Sequence, residues 1–114
     1  AKGKFLLILN ADIIVLNQAI QKMLKFLQNN PQVGLIGPQL LTFTNQIQLS
    51  CFNQPDFWAI IGRRTFLGKL KWFRKRIEKF LIADWDRKST RPVPWLQGSA
   101  MMTSKKAVKK VGLF

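Results

Sequence analysis

The strongest constraint on the fold is the unbroken apolar run Phe5-Leu6-Leu7-Ile8-Leu9, closed by Asn10-Ala11-Asp12. A short continuous run suits a strand covered on both faces, as in a parallel or mixed α/β sheet, whereas a half-exposed strand alternates. The closing triplet sets polar groups at the strand's carboxyl end, which is where open α/β sheets bind ligands. Lys2 and Lys4 before the run resemble the start of a secretion signal. Asn10 and Asp12 break the run too early for that, and no small-residue cleavage pattern follows.

The next segments alternate between helix and strand patterns. Ile13 to Leu16 is apolar, and Asn17 is expected to cap a helix that carries Leu16, Ile20, Met23, Leu24 and Leu27 on one face. Asn29-Asn30-Pro31 should stop it. Val33 to Pro38 reads as a second buried strand entering a turn, and Leu40–Phe43 with Ile47–Leu49 reads as a hairpin around Thr44-Asn45-Gln46. The stretch from Pro55 to Gly62 fits either a short helix or a buried loop.

Over residues 63–81, Phe66, Leu70, Phe73, Ile77 and Phe80 recur at spacings of four and three, with Leu67 and Leu81 beside them. Arg63, Arg64, Lys69, Lys71, Arg74, Lys75, Arg76 and Lys79 fill most of the rest, which predicts one basic amphipathic helix with Trp72 among its cations. A polar loop from Asp84 to Arg91 follows, and then Pro92-Val93-Pro94-Trp95, which the prolines hold extended. Gln97-Gly98-Ser99-Ala100 leads into Met101-Met102. Ser104 is expected to cap a short helix, Lys105 to Val111, that ends at Gly112. The chain begins at Ala1 and stops at Phe114, directly after that terminator, so both ends read as cuts through a longer protein.

Composition removes several kinds of chemistry. The 114 residues include one Cys and no His, so a disulfide framework, the Cys/His zinc patterns and every His-based triad are excluded. Any acid–base step falls to Asp12, Asp56, Glu78, Asp84 or Asp86. The 19 Lys and Arg against 5 acids, a net charge of +14, imply an anionic partner or surface. No apolar run approaches the ~20 residues of a spanning helix.

Three places could carry function. A carboxylate such as Asp12 just past a strand is suited to hold a divalent cation against a diphosphate, because magnesium takes oxygen ligands and often uses only one or two carboxylates. Asn10 could add a carbonyl oxygen or a donor. The competing reading is a plain strand-ending turn. In Trp95-Leu96-Gln97-Gly98-Ser99-Ala100, small residues let a ligand approach the backbone and the indole could stack on a sugar. Alternatively, Trp95 is core and the small residues merely pack tightly. The cationic helix could be a solvated face, a phosphate-binding surface or an in-plane membrane contact. Single-stranded nucleic acid competes for the same charge, although no helix-turn-helix, zinc finger or RRM sequence is present.

In order and spacing, these pieces resemble the family 2 glycosyltransferases, in particular the rhamnosyltransferase-like branch. Gly3-Lys4-Phe5-Leu6-Leu7-Ile8-Leu9-Asn10-Ala11-Asp12 is similar to that family's strand ending in an Asn-Ala-Asp form of the DXD motif. The helix to Pro31, Val33-Gly34-Leu35-Ile36-Gly37-Pro38-Gln39-Leu40 and the hairpin near Asn45 follow in the family's order. Val93-Pro94-Trp95-Leu96-Gln97-Gly98-Ser99-Ala100-Met101-Met102 is similar to its Trp-x-x-Gly-Ala segment, and Ala107 to Phe114 to its helix ending Val-Gly-Gly-Phe. Residues from about 55 to 90 carry little of the likeness.

The resemblance implies an α/β fold of GT-A type, a mixed sheet flanked by helices and incomplete at both ends. Residues 1–114 would be the central and C-terminal part of one glycosyltransferase domain, with 63–81 as a basic helical insertion. It implies inverting transfer of a sugar from a nucleotide-diphosphate sugar to a glycan or lipid-linked acceptor, in cell-envelope polysaccharide synthesis. Asp12 would hold Mg2+ or Mn2+ and the diphosphate, with Asn10 in place of the motif's first acid. Trp95, Gly98, Ser99 and Ala100 would line the donor-sugar or acceptor pocket. The family's catalytic base lies beyond the position of Phe114, so the isolated chain is expected to be inactive. Asp84 and Asp86 fit a solvated loop better than a base. The implied location is cytoplasmic, peripheral on the inner membrane face. The alternative, from a different class, is a non-catalytic basic module for membrane surfaces or nucleic acid.

Overall fold

The computed structural model describes residues 2–54 and 56–112. Ala1, Pro55, Leu113 and Phe114 lie outside the described residues, as do the expectations that fall on them. In chain order the elements are β1 (Phe5–Leu9), α1 (Ala19–Asn29), β2 (Leu35–Ile36), β3 (Leu40–Leu41), β4 (Ile47–Gln48) and β5 (Cys51–Phe52). Then come α2 (Phe57–Arg64), a 3-10 turn (Phe66–Lys69), α3 (Lys71–Phe80), β6 (Trp95–Leu96), β7 (Ala100–Ser104) and α4 (Lys105–Val111). The protein is therefore mixed α/β, with four helices and small antiparallel sheets. It divides into two compact units, one built from residues up to Pro38 and from Gly98 onward, the other from Gln39–Gln97.

The first unit is built on the sheet β1-β7-β2. β7 runs antiparallel to both neighbours, with Leu7 opposite Met102 and Ile36 also opposite Met102. β1 and β2 thus point the same way on either side of β7, but every neighbouring pair is antiparallel. The mixed sheet expected from the sequence is an antiparallel one here, because the strand that fills the gap between β1 and β2 comes from the far end of the chain. α1 packs its stripe, Ile20, Met23, Leu24 and Leu27, against Met102, Phe5 and Ile36. Burying side chains such as Met23, Leu27 and Met102 contributes about 1.5–3 kcal/mol each. On the sheet's other face the Thr103 hydroxyl donates to the Gly34 carbonyl at 2.6 Å. Ile8 and Leu35 remain 45% and 43% exposed, so β1 is not covered on both faces as its continuous pattern predicts.

The helix ends show where local signals held. Asn17 is not the cap of α1. Asn17 and Gln18 both take positive φ, Gln18 occupies the cap position, and no side chain caps the helix. At the other end the Asn30 side-chain amide donates to the Phe26 carbonyl at 2.9 Å and stops the helix before Pro31. In α4, Ser104 accepts from the Ala107 N–H at 3.1 Å, and Gly112 ends the helix at φ 105.

The second unit contains the expected hairpin, β3 with β4, closed by Asn45 at φ 59 and by the Thr42 N–H donating to Gln46 at 2.8 Å. β5 pairs with β6, and Phe52 stacks on Phe80 with ring centroids 5.4 Å apart. The Arg87 guanidinium ties these parts together, donating to the carbonyls of Cys51 and Leu81.

The single helix expected over 63–81 is instead the end of α2, the 3-10 turn and α3. Thr65 and Leu70 both leave helical geometry. The break has a packing cause: a Cβ on Gly68 would lie 2.5 Å from the Gly62 carbonyl oxygen, and one on Gly62 would lie 2.9 Å from the Phe73 ring. The two glycines allow the chain to fold back tightly, so α3 lays Phe73 and Ile77 over Gly62.

Candidate functional site

In the first unit, the end of β1 and the small-residue segment meet. Register sets Leu9 opposite Ala100, and the Asn10 N–H donates to the Ser99 carbonyl at 2.9 Å. The chain then turns at Ala11-Asp12, with the Ile13 N–H returning to the Asn10 carbonyl at 3.3 Å. Asn10, Ala11 and Asp12 are all exposed at this tip. The sequence therefore places its two most separated site segments side by side, through an ordinary antiparallel ladder. Ser99 and Ala100 are buried, and of the three small residues only Gly98 offers open surface. A Cβ on Gly98 would meet nothing nearer than the Met101 methyl at 3.8 Å, so the fold itself does not require glycine there.

Asp12 is the sole acid of this unit, which otherwise carries eight lysines and no arginine. Among the described residues no three His, Cys, Asp or Glu side chains come together. A divalent cation here would rest on the Asp12 carboxylate and the Asn10 side-chain oxygen, with phosphate and water oxygens completing the shell. Hard oxygen donors of this kind fit Mg2+ or Mn2+, which commonly bind through one carboxylate plus substrate phosphates.

Trp95 belongs to the second unit. There it lies opposite Phe52 in the β5–β6 pair, with ring centroids 5.2 Å apart, and it stays 45% exposed. The ring is anchored on one side by the core of its own unit and still offers surface to a ligand.

Sequence reasoning missed a concave surface of about 810 Å³ within the second unit, lined by Asn53, Glu78, Asp84, Arg91 and Pro94 among others. Its carboxylates are engaged: Asp84 with Arg91 at 3.5 Å and Glu78 with Arg74 at 3.7 Å. The elements that form it, the end of α3 and the Asp84–Pro94 loop, meet through Arg87, and no local pattern announces that contact.

No family model, no curated protein and no solved structure matches the chain. Among the described residues no helix is long and apolar enough to cross a membrane.

Proposed function

We propose that this chain forms the donor-diphosphate region of an inverting, GT-A-type glycosyltransferase that uses a nucleotide-diphosphate sugar. The observation that carries the reading is the Asn10 to Ser99 hydrogen bond, which sets the Asn-Ala-Asp tip beside Gly98 in one unit. The order of segments across the sequence supports it as well.

Each residue then has a definite task. The Asp12 carboxylate and the Asn10 oxygen are exposed acceptors at the tip of a strand whose register is pinned along its whole length. Gly98 leaves the backbone open for close approach by the donor. A bound Mg2+ or Mn2+ would neutralise charge on the leaving diphosphate. The acceptor hydroxyl also needs a base. Asp12, committed to the diphosphate, cannot serve as that base, so it is supplied by a carboxylate outside this tip.

Calorimetric titration of Mn2+ with nucleotide-diphosphate sugars into the full-length protein tests the proposal. Metal-dependent binding is expected, and Asp12→Ala should abolish its metal dependence, because the cation would lose its single carboxylate ligand. Gly98→Ala should weaken donor binding without lowering the melting temperature. Donor binding that is unchanged in Asp12→Ala would overturn the assignment.

A further inference from the structure

The cationic segment of the second unit is arranged differently from the in-plane helix that its sequence suggests. From Phe57 to Ile77 there is no acid, and Arg63, Arg64, Lys69, Lys71, Arg74, Lys75 and Arg76 all fall within it. The apolar stripe of α3 is already occupied. Phe80 is buried with Phe52 and Ala59, Ile77 packs beside them, and Phe73 lies over Gly62. That face is not available to a bilayer.

What remains outside is the corner between α2 and α3. Phe66 is 83% exposed, Leu70 54% and Trp72 53%. In the same segment Arg64, Lys69, Lys71 and Lys75 are exposed and make no ion pair among the described residues, while Arg63 lies over the Phe80 ring, 5.8 Å from its centroid. Arg76 is held by Asp56 at 2.8 Å and lies over the Trp72 ring, 4.4 Å from its centroid. Trp72 in turn packs edge-on against Trp58 at 6.2 Å. The turn between α2 and α3 thus presents two exposed apolar side chains and an indole in a segment where those four exposed cations make no ion pair among the described residues.

We propose that this corner docks on an anionic lipid bilayer, with Phe66 and Leu70 entering the boundary between headgroups and acyl chains. The surrounding cations would sit at the phosphate level, where each contributes favourably against a negative leaflet, and their methylene stems can lie along the apolar patch. Trp72 is suited to the interface between them. Charge complementarity selects an anionic partner, and the exposed Phe66 and Leu70 select a bilayer over a purely electrostatic polyanion. The inference stands apart from the sugar-transfer reading, since it uses neither Asp12 nor Gly98.

Sedimentation of the full chain with phosphatidylcholine vesicles, with and without phosphatidylglycerol, tests it. Binding is expected only with the anionic lipid and should fall at high sodium chloride. Phe66→Ser with Leu70→Ser should weaken it about tenfold or more. Lys69→Glu with Lys71→Glu should weaken it by at least about thirtyfold, at roughly fivefold per lost cation. All four positions are exposed, and circular dichroism would verify that the variants fold. Lys22→Glu with Lys25→Glu, in the exposed part of α1, changes the net charge equally and should leave affinity within about threefold. Equal loss in the two charge-reversal pairs would overturn the proposal, as would indifference to Phe66 and Leu70. So would tighter binding of a single-stranded oligonucleotide through Lys69 and Lys71.

Discussion

At the scale of single residues, Asp56 does more than its place in a charge-poor list of acids suggests. Its carboxylate caps α2 by accepting from the Trp58 N–H at 3.0 Å, and it accepts from Arg76 Nη1 at 2.8 Å, so one side chain fastens α3 to the start of α2. Partial desolvation pushes its pKa up, but the Arg76 hydrogen bond, the Trp58 N–H, the Arg76 charge and the Ala59 N–H outweigh it and hold the carboxyl below its ordinary 3.8. A carboxyl depressed in the folded state stabilises fully above its unfolded pKa, and that contribution is lost as pH falls from there through the lower folded value. Acid unfolding followed by tryptophan fluorescence should therefore steepen below about pH 4 in the natural sequence. Asp56→Asn should be less stable at neutral pH and should lose less stability over the acid range. An unchanged acid slope in that variant would show that the Asp56–Arg76 contact does not fasten α3 to α2.

At the scale of elements, what could be read in advance depended on whether the deciding contact was local. α4 was legible because Ser104 and Gly112 carry both of its ends within the helix's own sequence, and the β3–β4 hairpin because Thr44-Asn45-Gln46 closes on itself. The stripe on α1 identified the face that packs on Met102. The Asn10-to-Asp12 tip was legible as a strand end, and its closeness to Gly98 as an expectation from segment order. The ladder that joins them spans most of the chain, and no local pattern encodes its register. Asn17 failed as a cap because the chain turns through two left-handed residues before α1 begins. The helix over 63–81 is broken where Gly68 approaches Gly62, a close backbone contact that the amphipathic period does not reveal. That contact makes a direct prediction. Gly68→Ala must displace backbone, because its Cβ would lie 2.5 Å from a carbonyl oxygen, and should cost about 1–3 kcal/mol in urea unfolding. Gly62→Ala meets the Phe73 ring, a side chain that can shift, and gains helix propensity, so it should cost less. A neutral Gly68→Ala would mean that the α2–α3 turn is looser than described.

At the scale of the whole molecule, the charge excess acts on folding and on docking with opposite sign. The first unit carries eight lysines against one acid and the second eleven cations against four, so each unit bears +7 of the +14. Three ion pairs are present among the described residues, all in the second unit and all at least partly exposed. Pairs of that kind contribute little, about 0–1 kcal/mol each. Repulsion among the remaining cations therefore outweighs attraction, and it is screened once the Debye length falls below about 10 Å. Melting temperature should rise by several degrees as sodium chloride is increased from low to near-molar concentration, as read by circular dichroism. Vesicle binding through the Phe66–Leu70 corner should decline over the same range. The two trends together separate their causes: loss of lipid binding while the fold becomes more stable cannot come from unfolding, and points to screening of the protein's cations. A melting temperature that falls with salt would mean that the ion pairs, and not net repulsion, dominate the charge balance.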